Sequence, residues 1–350
     1  MKVAIDSGPL VTGHAIRGIG AHTGHLIKHL KKIKDVKVDV IDFSKNDLSK
    51  YDLAHIPSFN PFFLTLPFRK PTRKVVLTIH DLIPLIYPKH YPPGMKGSLN
   101  FFIQKNLIKN VDVIITISET SKKDICRFLN VSPDKVKVIY LAPREVFRQI
   151  KDESLLQKVR KKYSLPHDFV LYVGDVNYNK NLFGLAEACK RVSVPLVMVG
   201  KQAKSEEIDR KHIENRPFVR FLNKFGGDPS IIRVGFVPDE DLAVIYNLAT
   251  LYCQPSFYEG FGLAVLEAFS CGCAVVAAET QALVEIGEAA CLFADPKSPK
   301  DMAEKILEVK NDETLRNQLV NTGFEIVKKF SWEKTARETA NVYKKVANEI

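Results

Sequence analysis

Short apolar runs rich in β-branched residues alternate along this chain with longer segments whose apolar positions recur at helical spacing. That alternation is the order of parallel β-α units. In the first half it predicts strands at Val3–Asp6, Val36–Phe43, Leu53–Ile56, Val75–His80, Val113–Ser118 and Val136–Tyr140, with helices near Ala21–Ile33, Leu99–Lys109 and Glu119–Leu129. Several strand runs are apolar at successive positions, as a sheet covered by helices on both faces requires. A doubly wound sheet follows.

The alternation pauses over the polar stretch Arg144–Asp168, which carries one amphipathic helix around Leu155–Tyr163, and restarts at Phe169. The second series predicts strands at Val170–Gly174, Val194–Gly200, Ile231–Gly235, Leu251–Gln254, Ala274–Ala277 and Cys291–Ala294. Its helices fall near Asn181–Val192, Asp239–Leu248, Gly262–Ser270 and from Lys300 onward, with Ser331 placed to cap the last one. The expectation is two α/β domains, 1–150 and 169–330, joined by a linker at 151–168, with ligands bound in the cleft between them.

Composition adds little to this picture, but charge distribution does. Residues 1–165 hold 29 Lys plus Arg against 14 Asp plus Glu, and residues 166–350 hold 22 against 26. The basic half is thus suited to phosphate, nucleic acid or an anionic membrane. Met1–Asp6 passes from one Lys straight into a short apolar strand, unlike a secretory leader, so a cytoplasmic protein with reduced cysteines is expected. The six cysteines include no C-x-x-C and read as buried thiols.

The sharpest chemistry lies in Pro255–Gly272, which leaves a strand, makes a glycine-rich turn and enters a helix. Such a turn sits at the carboxyl end of a parallel sheet, where ligands bind. Gly260 and Gly262 allow close backbone approach, and helix-start N–H groups favour a diphosphate. Glu259 and Glu267 are acceptor-only carboxylates suited to vicinal hydroxyls of a hexose and a ribose. Their spacing alone means nothing, since four Glu pairs in the chain lie eight apart. The strand, turn and helix around this pair are what single it out.

A second strand ending in glycine, Tyr172–Gly174, leads through a polar turn to Lys180 at a helix start, where an ammonium would neutralise a phosphate. In the first half, Gly18, Gly20 and Gly24 follow the first strand by too many residues for a dinucleotide fingerprint. They read as a flexible loop with Arg17 offered to an acceptor. His80 closes a strand at its carboxyl end. His22, His25 and His29 share one helix face without a nearby carboxylate or Cys and read as a solvated polar face. Phe59–Lys74 sets large apolar side chains beside Arg69, Lys70, Arg73 and Lys74 in a proline-broken loop, which suits an anionic membrane interface. With no basic recognition helix or ribonucleoprotein-type motif, no nucleic-acid partner is expected.

Taken together, these motifs resemble the retaining glycosyltransferases of family four. Glu259-Gly260-Phe261-Gly262-Leu263 through Glu267 matches that family's block of two glutamates separated by seven residues. Supporting matches are Arg17-Gly18-Ile19-Gly20, Thr78–Pro84, Ile117–Ser121, Val234–Leu242 and Phe330–Glu333. The resemblance implies the two-domain GT-B fold, with 331–350 crossing back onto the N-terminal domain. It implies that Glu259 holds donor-sugar hydroxyls, that Phe261, Gly262 and Leu263 present N–H groups to sugar and phosphate, and that Glu267 binds the ribose. It further implies that Lys180 binds the diphosphate beside Gly174, that Val237 meets the base through its backbone, that His80 approaches the sugar, and that Gly20 lies beside the diphosphate. Asp175, Asn179 and Ala264 depart from the family, which often carries Arg at one of the first two positions and Pro at the third. The function implied is transfer of a hexose, with mannose expected, from a nucleotide-diphosphate sugar to a glycan or lipid-linked acceptor, without a metal. A non-catalytic nucleotide-sugar binder and a GT-B epimerase or phosphorylase are the competing readings.

Overall fold

The computed structural model describes residues 1–11, 18–204 and 208–348, which fall into two compact units. The first comprises Met1–Ala142 with Phe330–Ile350, the second Pro143–Lys329. The boundary falls ahead of the polar pause at 151–168, because the helix in that pause is anchored within the second unit.

In chain order the first unit contains β1 (Lys2–Asp6), α1 (Gly8–Val11), α2 (Gly18–Leu30), β2 (Lys37–Ile41), β3 (Leu53–Ile56), β4 (Lys74–Thr78), α3 (Ile83–Ile86), α4 (Gly94–Leu107), β5 (Val113–Thr116), α5 (Glu119–Leu129) and β6 (Val136–Val138). Its strands form one parallel sheet in the order β2-β1-β3-β4-β5-β6. β3 is buried at every position, and its one polar side chain, His55, lies within hydrogen-bond distance of Tyr343 OH at 2.6 Å and of Thr78 Oγ1 at 2.8 Å. α5 begins at Ser118, whose side chain accepts the Ser121 N–H, and stops at Asn130 in the left-handed region.

The second unit contains α6 (Glu153–Lys162), β7 (Val170–Val173), α7 (Leu182–Arg191), β8 (Leu196–Val199), α8 (Arg216–Phe225), β9 (Ile231–Gly235), α9 (Asp239–Leu248), β10 (Leu251–Gln254), α10 (Leu263–Ser270), β11 (Val275–Ala278), α11 (Gln281–Gly287), β12 (Cys291–Ala294), α12 (Pro299–Asn311) and α13 (Glu313–Val327). Its parallel sheet runs β12-β11-β10-β7-β8-β9. α6 is tied to α9 where Lys162 and Tyr163 both donate to Asp241, each at 2.6 Å. The strand order reverses between β7 and β10, and a sheet of this kind binds ligands at the carboxyl ends of the strands flanking that reversal.

The closing helical stretch is three helices. Asp312 caps α13 by accepting the Leu315 N–H at 2.8 Å. Ser331 accepts the Lys334 N–H at 3.1 Å and opens α14 (Trp332–Asn348), which packs on α2 of the first unit. Four of the described helices are absent from the sequence reading: the one-turn α1 and α3, α8, which buries Phe218, Phe221 and Phe225, and α11, which buries Ala282, Leu283 and Ile286. Cys126 is partly buried and the other five cysteines are buried; all six are free thiols. Among the described residues, no helix is long and apolar enough to cross a membrane.

Candidate active site

The loops after β7 and β10 lie on either side of the strand-order reversal, and they carry Gly174, Lys180 and Glu259 through Gly262. Gly174, with φ at +150°, follows β7 directly. A Cβ on Gly200, which follows the adjacent β8, would stand 2.2 Å from the Gly174 carbonyl oxygen, so the two strand ends meet only because residue 200 is glycine. The chain then turns through Tyr178–Lys180 into α7.

That turn brings Lys180 onto Glu259. The ammonium donates to both carboxylate oxygens, at 2.7 and 2.9 Å. Glu259 Oε1 also accepts from Gln254 Nε2 at 2.7 Å and from Ser256 Oγ at 2.6 Å. Tyr252 OH donates to Gln254 Oε1, so a continuous chain of hydrogen bonds runs from the buried strand β10 to the Lys180 ammonium. Glu259 is buried, and this full set of donors allows a carboxylate to reside there.

Asn179, the residue before Lys180, is buried and structural. Its Nδ2 donates to the Tyr258 carbonyl at 3.0 Å, and its own carbonyl accepts the Phe257 N–H at 2.8 Å. It therefore joins the two loops. Asp175 acts through its backbone, its carbonyl accepting from Tyr172 OH.

Beyond Gly260 and the buried Phe261, Gly262 caps α10 with φ at +111°. A Cβ there would lie 2.7 Å from Leu283 Cδ2 and 2.8 Å from Ile286 Cδ1. The glycine thus lets α10, starting at Leu263, pack closely on α11. One turn inside α10, Glu267 is buried and accepts from Arg144 Nη2 at 3.0 Å. Arg144 Nη1 donates to Asp239 Oδ2, and its guanidinium lies over the Phe147 ring at 4.7 Å. Burial pushes the Glu267 carboxyl up to about 7, with Arg144 pulling the other way. Asp239 opens α9 two residues after the buried Val237. Arg144 thereby gathers Glu267 and the Val237–Asp239 turn into one cluster. Sequence reading missed it because nothing local distinguishes Arg144 from the other cations of its polar stretch.

In the first unit, His80 lies two residues beyond β4 and is buried. Gly20 is buried in the first turns of α2, two residues before His22, whose Nδ1 stands 2.7 Å from His80 Nε2. Arg17 lies outside the described residues. The histidine face of α2 is not solvated: His22 and His29 are buried, and all three rings stack on Trp332 of α14, with centroids 5.9, 5.0 and 6.4 Å away. A tryptophan from the far end of the chain covers a face that looks polar in isolation.

Two doubly wound parallel-sheet units, one with a glycine-containing loop pair at its strand-order reversal, fit the GT-B class of glycosyltransferases. The comparisons agree. The model for "Glycosyl transferases group 1" matches residues 157–325 and that for "Glycosyltransferase Family 4" matches 43–142. O-antigen chain mannosyltransferase B of Escherichia coli is 30% identical over 304 residues, covering 83% of this chain and 74% of that protein. Serotype-specific mannosyltransferase WbdA of E. coli is 28% identical over 294 residues, which are 81% of this chain and 36% of WbdA. Among solved structures, sucrose-phosphate synthase from Thermosynechococcus elongatus superposes with a TM-score of 0.76 at 18% identity, covering 99% of this chain and 98% of that one. Anabaena HepE in complex with UDP-glucose gives 0.75 at 18% identity, over 99% of this chain and 100% of that one. The chain belongs to the group 1, family four glycosyltransferases and is a hexosyltransferase.

Proposed function

We propose that this enzyme transfers mannose, with retention of configuration, from a nucleotide-diphosphate sugar to a growing surface glycan or its lipid-linked form. The observation that carries the reading is the Lys180–Glu259 pair at the strand-order reversal of the second unit. Mannose is favoured by the two E. coli relatives, both named mannosyltransferases.

In this scheme the diphosphate takes Lys180 as its counter-ion, and Glu259, relieved of the ammonium, accepts hydroxyls of the sugar while Gln254 and Ser256 hold it in place. Glu267 accepts the ribose hydroxyls, the backbone at Val237 meets the base, and Gly174 lies beside the diphosphate. The bond from the anomeric carbon to the diphosphate oxygen breaks with oxocarbenium character. Lys180 and the N–H groups of Phe261, Gly262 and Leu263 stabilise the charge growing on the leaving oxygen. The acceptor hydroxyl attacks from the face the diphosphate is leaving, and its proton passes to the leaving phosphate. His80 contacts the sugar and Gly20 the diphosphate. Fixed cations and dipoles serve here where other transferases use a divalent ion, so a chelator should leave the rate unchanged.

Calorimetry with a panel of nucleotide-diphosphate hexoses tests donor and class together. Glu267→Ala should weaken nucleotide binding, and Glu259→Ala should abolish transfer. Unchanged turnover in both variants would sink the assignment, and binding without transfer or donor hydrolysis would leave only a binder.

A membrane-linked acceptor accords with the surface of the first unit. Between Leu53 and Val111 the sequence carries eight Lys or Arg and one acid, Asp81. The proline-broken loop is fastened to α4, whose buried Gln104 bonds the backbone of Asn60, Thr65 and Leu66. Phe63, Leu64 and Phe68 on the loop, and Met95, Leu99 and Phe102 on α4, are left exposed. Apolar side chains among cations suit the headgroup boundary of an anionic bilayer. Co-sedimentation with vesicles containing phosphatidylglycerol should be strong at low salt and reduced by Leu99→Ser with Phe102→Ser. Binding indifferent to salt and to anionic lipid would rule the electrostatic contact out.

A further inference from the structure

The sequence offers a row of histidines on α2 and a separate histidine after β4, and the fold of the first unit joins them. His22 Nδ1 and His80 Nε2 are 2.7 Å apart, with the ring planes at 83°. Both side chains are buried. A bond between two neutral imidazoles requires one nitrogen to carry the proton and the other to be bare, so the tautomers of the two rings are set together. Burial, with His80, His55 and His25 nearby, holds His22 well below the ordinary imidazole range, which keeps it neutral.

The other constraints on this pair are also fixed. The His22 ring stacks on Trp332, centroids 5.9 Å apart at 28°. The His80 carbonyl accepts from Ser121 Oγ at 2.8 Å. The backbone of one ring and the plane of the other are thus pinned by separate elements, α5 and α14.

We infer that His22 is a positioning residue for His80: it holds the His80 ring in one tautomer and one orientation before substrate arrives. The inference rests on the proposal that His80 meets the donor sugar. A ring free to turn or to exchange tautomers would present the wrong nitrogen to a sugar hydroxyl for part of the time. A small misplacement of a contacting group lowers the rate by up to about 100-fold.

The test uses the full chain with nitrogen-15 in its histidines. In the wild type the two ring nitrogens of His80, assigned with His80→Gln, should give one protonated and one bare signal. In His22→Leu these should move toward averaged positions, with kcat lowered about 10-fold to 100-fold and the donor KM within about twofold. His22→Asn, whose amide falls close to the lost Nδ1, should restore the fixed tautomer and most of kcat. Unchanged His80 signals in His22→Leu would overturn the inference, as would equal loss of kcat and of melting temperature in the Leu and Asn variants, which is the mark of packing alone. Wild-type turnover in His80→Ala would overturn the sugar contact on which the catalytic consequence rests, and the nitrogen spectrum would still decide the tautomer lock.

Discussion

Glu267 is a carboxylate whose surroundings pull its ionisation in opposite directions. Burial pushes it up to about 7 and Arg144 works against that shift. Hydroxyls of a ribose need the ionised form as acceptor, so nucleotide affinity should fall as pH drops below about 7. Arg144→Met removes the opposing charge, and the midpoint of that fall should move to higher pH, as calorimetry with the nucleoside diphosphate would show. The effect on stability has a defined sign. A carboxyl whose folded pKa is raised binds more protons folded than unfolded between about 4.5 and about 7, so its contribution declines as pH rises through that window. Glu267→Gln should therefore gain on the wild type in melting temperature from about pH 5 to about pH 8. Lys180 and Glu259 are coupled differently, since each charge is offset by the other. Lys180→Met leaves a buried carboxylate without its cation and should cost about 3 kcal/mol in chemical denaturation, with part of the loss recovered by adding Glu259→Gln.

At the scale of elements, the strands and most helices follow from local pattern, because a run such as Val170–Val173 buried on both faces has no polar side to hide. α8 escaped attention although Phe218, Phe221 and Phe225 fall on one helical face, because the polar stretch before it masks where the periodicity starts. α10 shows what an element owes to its neighbour. Gly262 reads in the sequence as room for a ligand to approach the backbone, and the structure makes it a requirement of packing: side chains of α11 occupy the space a methyl group would need. Gly262→Ala, strained in φ and crowded by Leu283 and Ile286, should destabilise by about 2–4 kcal/mol and weaken donor binding further, by displacing the N–H groups at the helix start.

The whole molecule reassigns the opening charge imbalance. Divided as the chain folds, the first unit holds 26 Lys plus Arg against 14 Asp plus Glu and the second 25 against 26. The basic excess thus belongs wholly to the first unit, whereas the loops bearing Lys180 and Glu259 belong to a nearly neutral one. The first unit is discontinuous, and its last piece is more than a cover. Trp332 is buried against the α2 histidines, and Tyr343 OH lies 2.6 Å from His55 Nδ1. Trp332→Ala should cost about 3–5 kcal/mol, with hydrogen exchange accelerated in β1–β6 and unchanged in β7–β12. Uniform acceleration in both sheets would contradict an effect confined to the first unit.

The sequence by itself determined the class of fold, the strand order along the chain and most of the helices, and the strand-turn-helix segments bearing Glu259, Glu267 and Lys180, because periodicity, glycine turns and helix caps are written in neighbouring residues. Tertiary structure decided the partners. Lys180 meets Glu259, Arg144 meets Glu267, and His22 meets His80 under Trp332 only when sheet order brings distant segments together. No local pattern records such pairings, since each depends on which strand lies beside which and on side chains that seal a site from residues far along the chain.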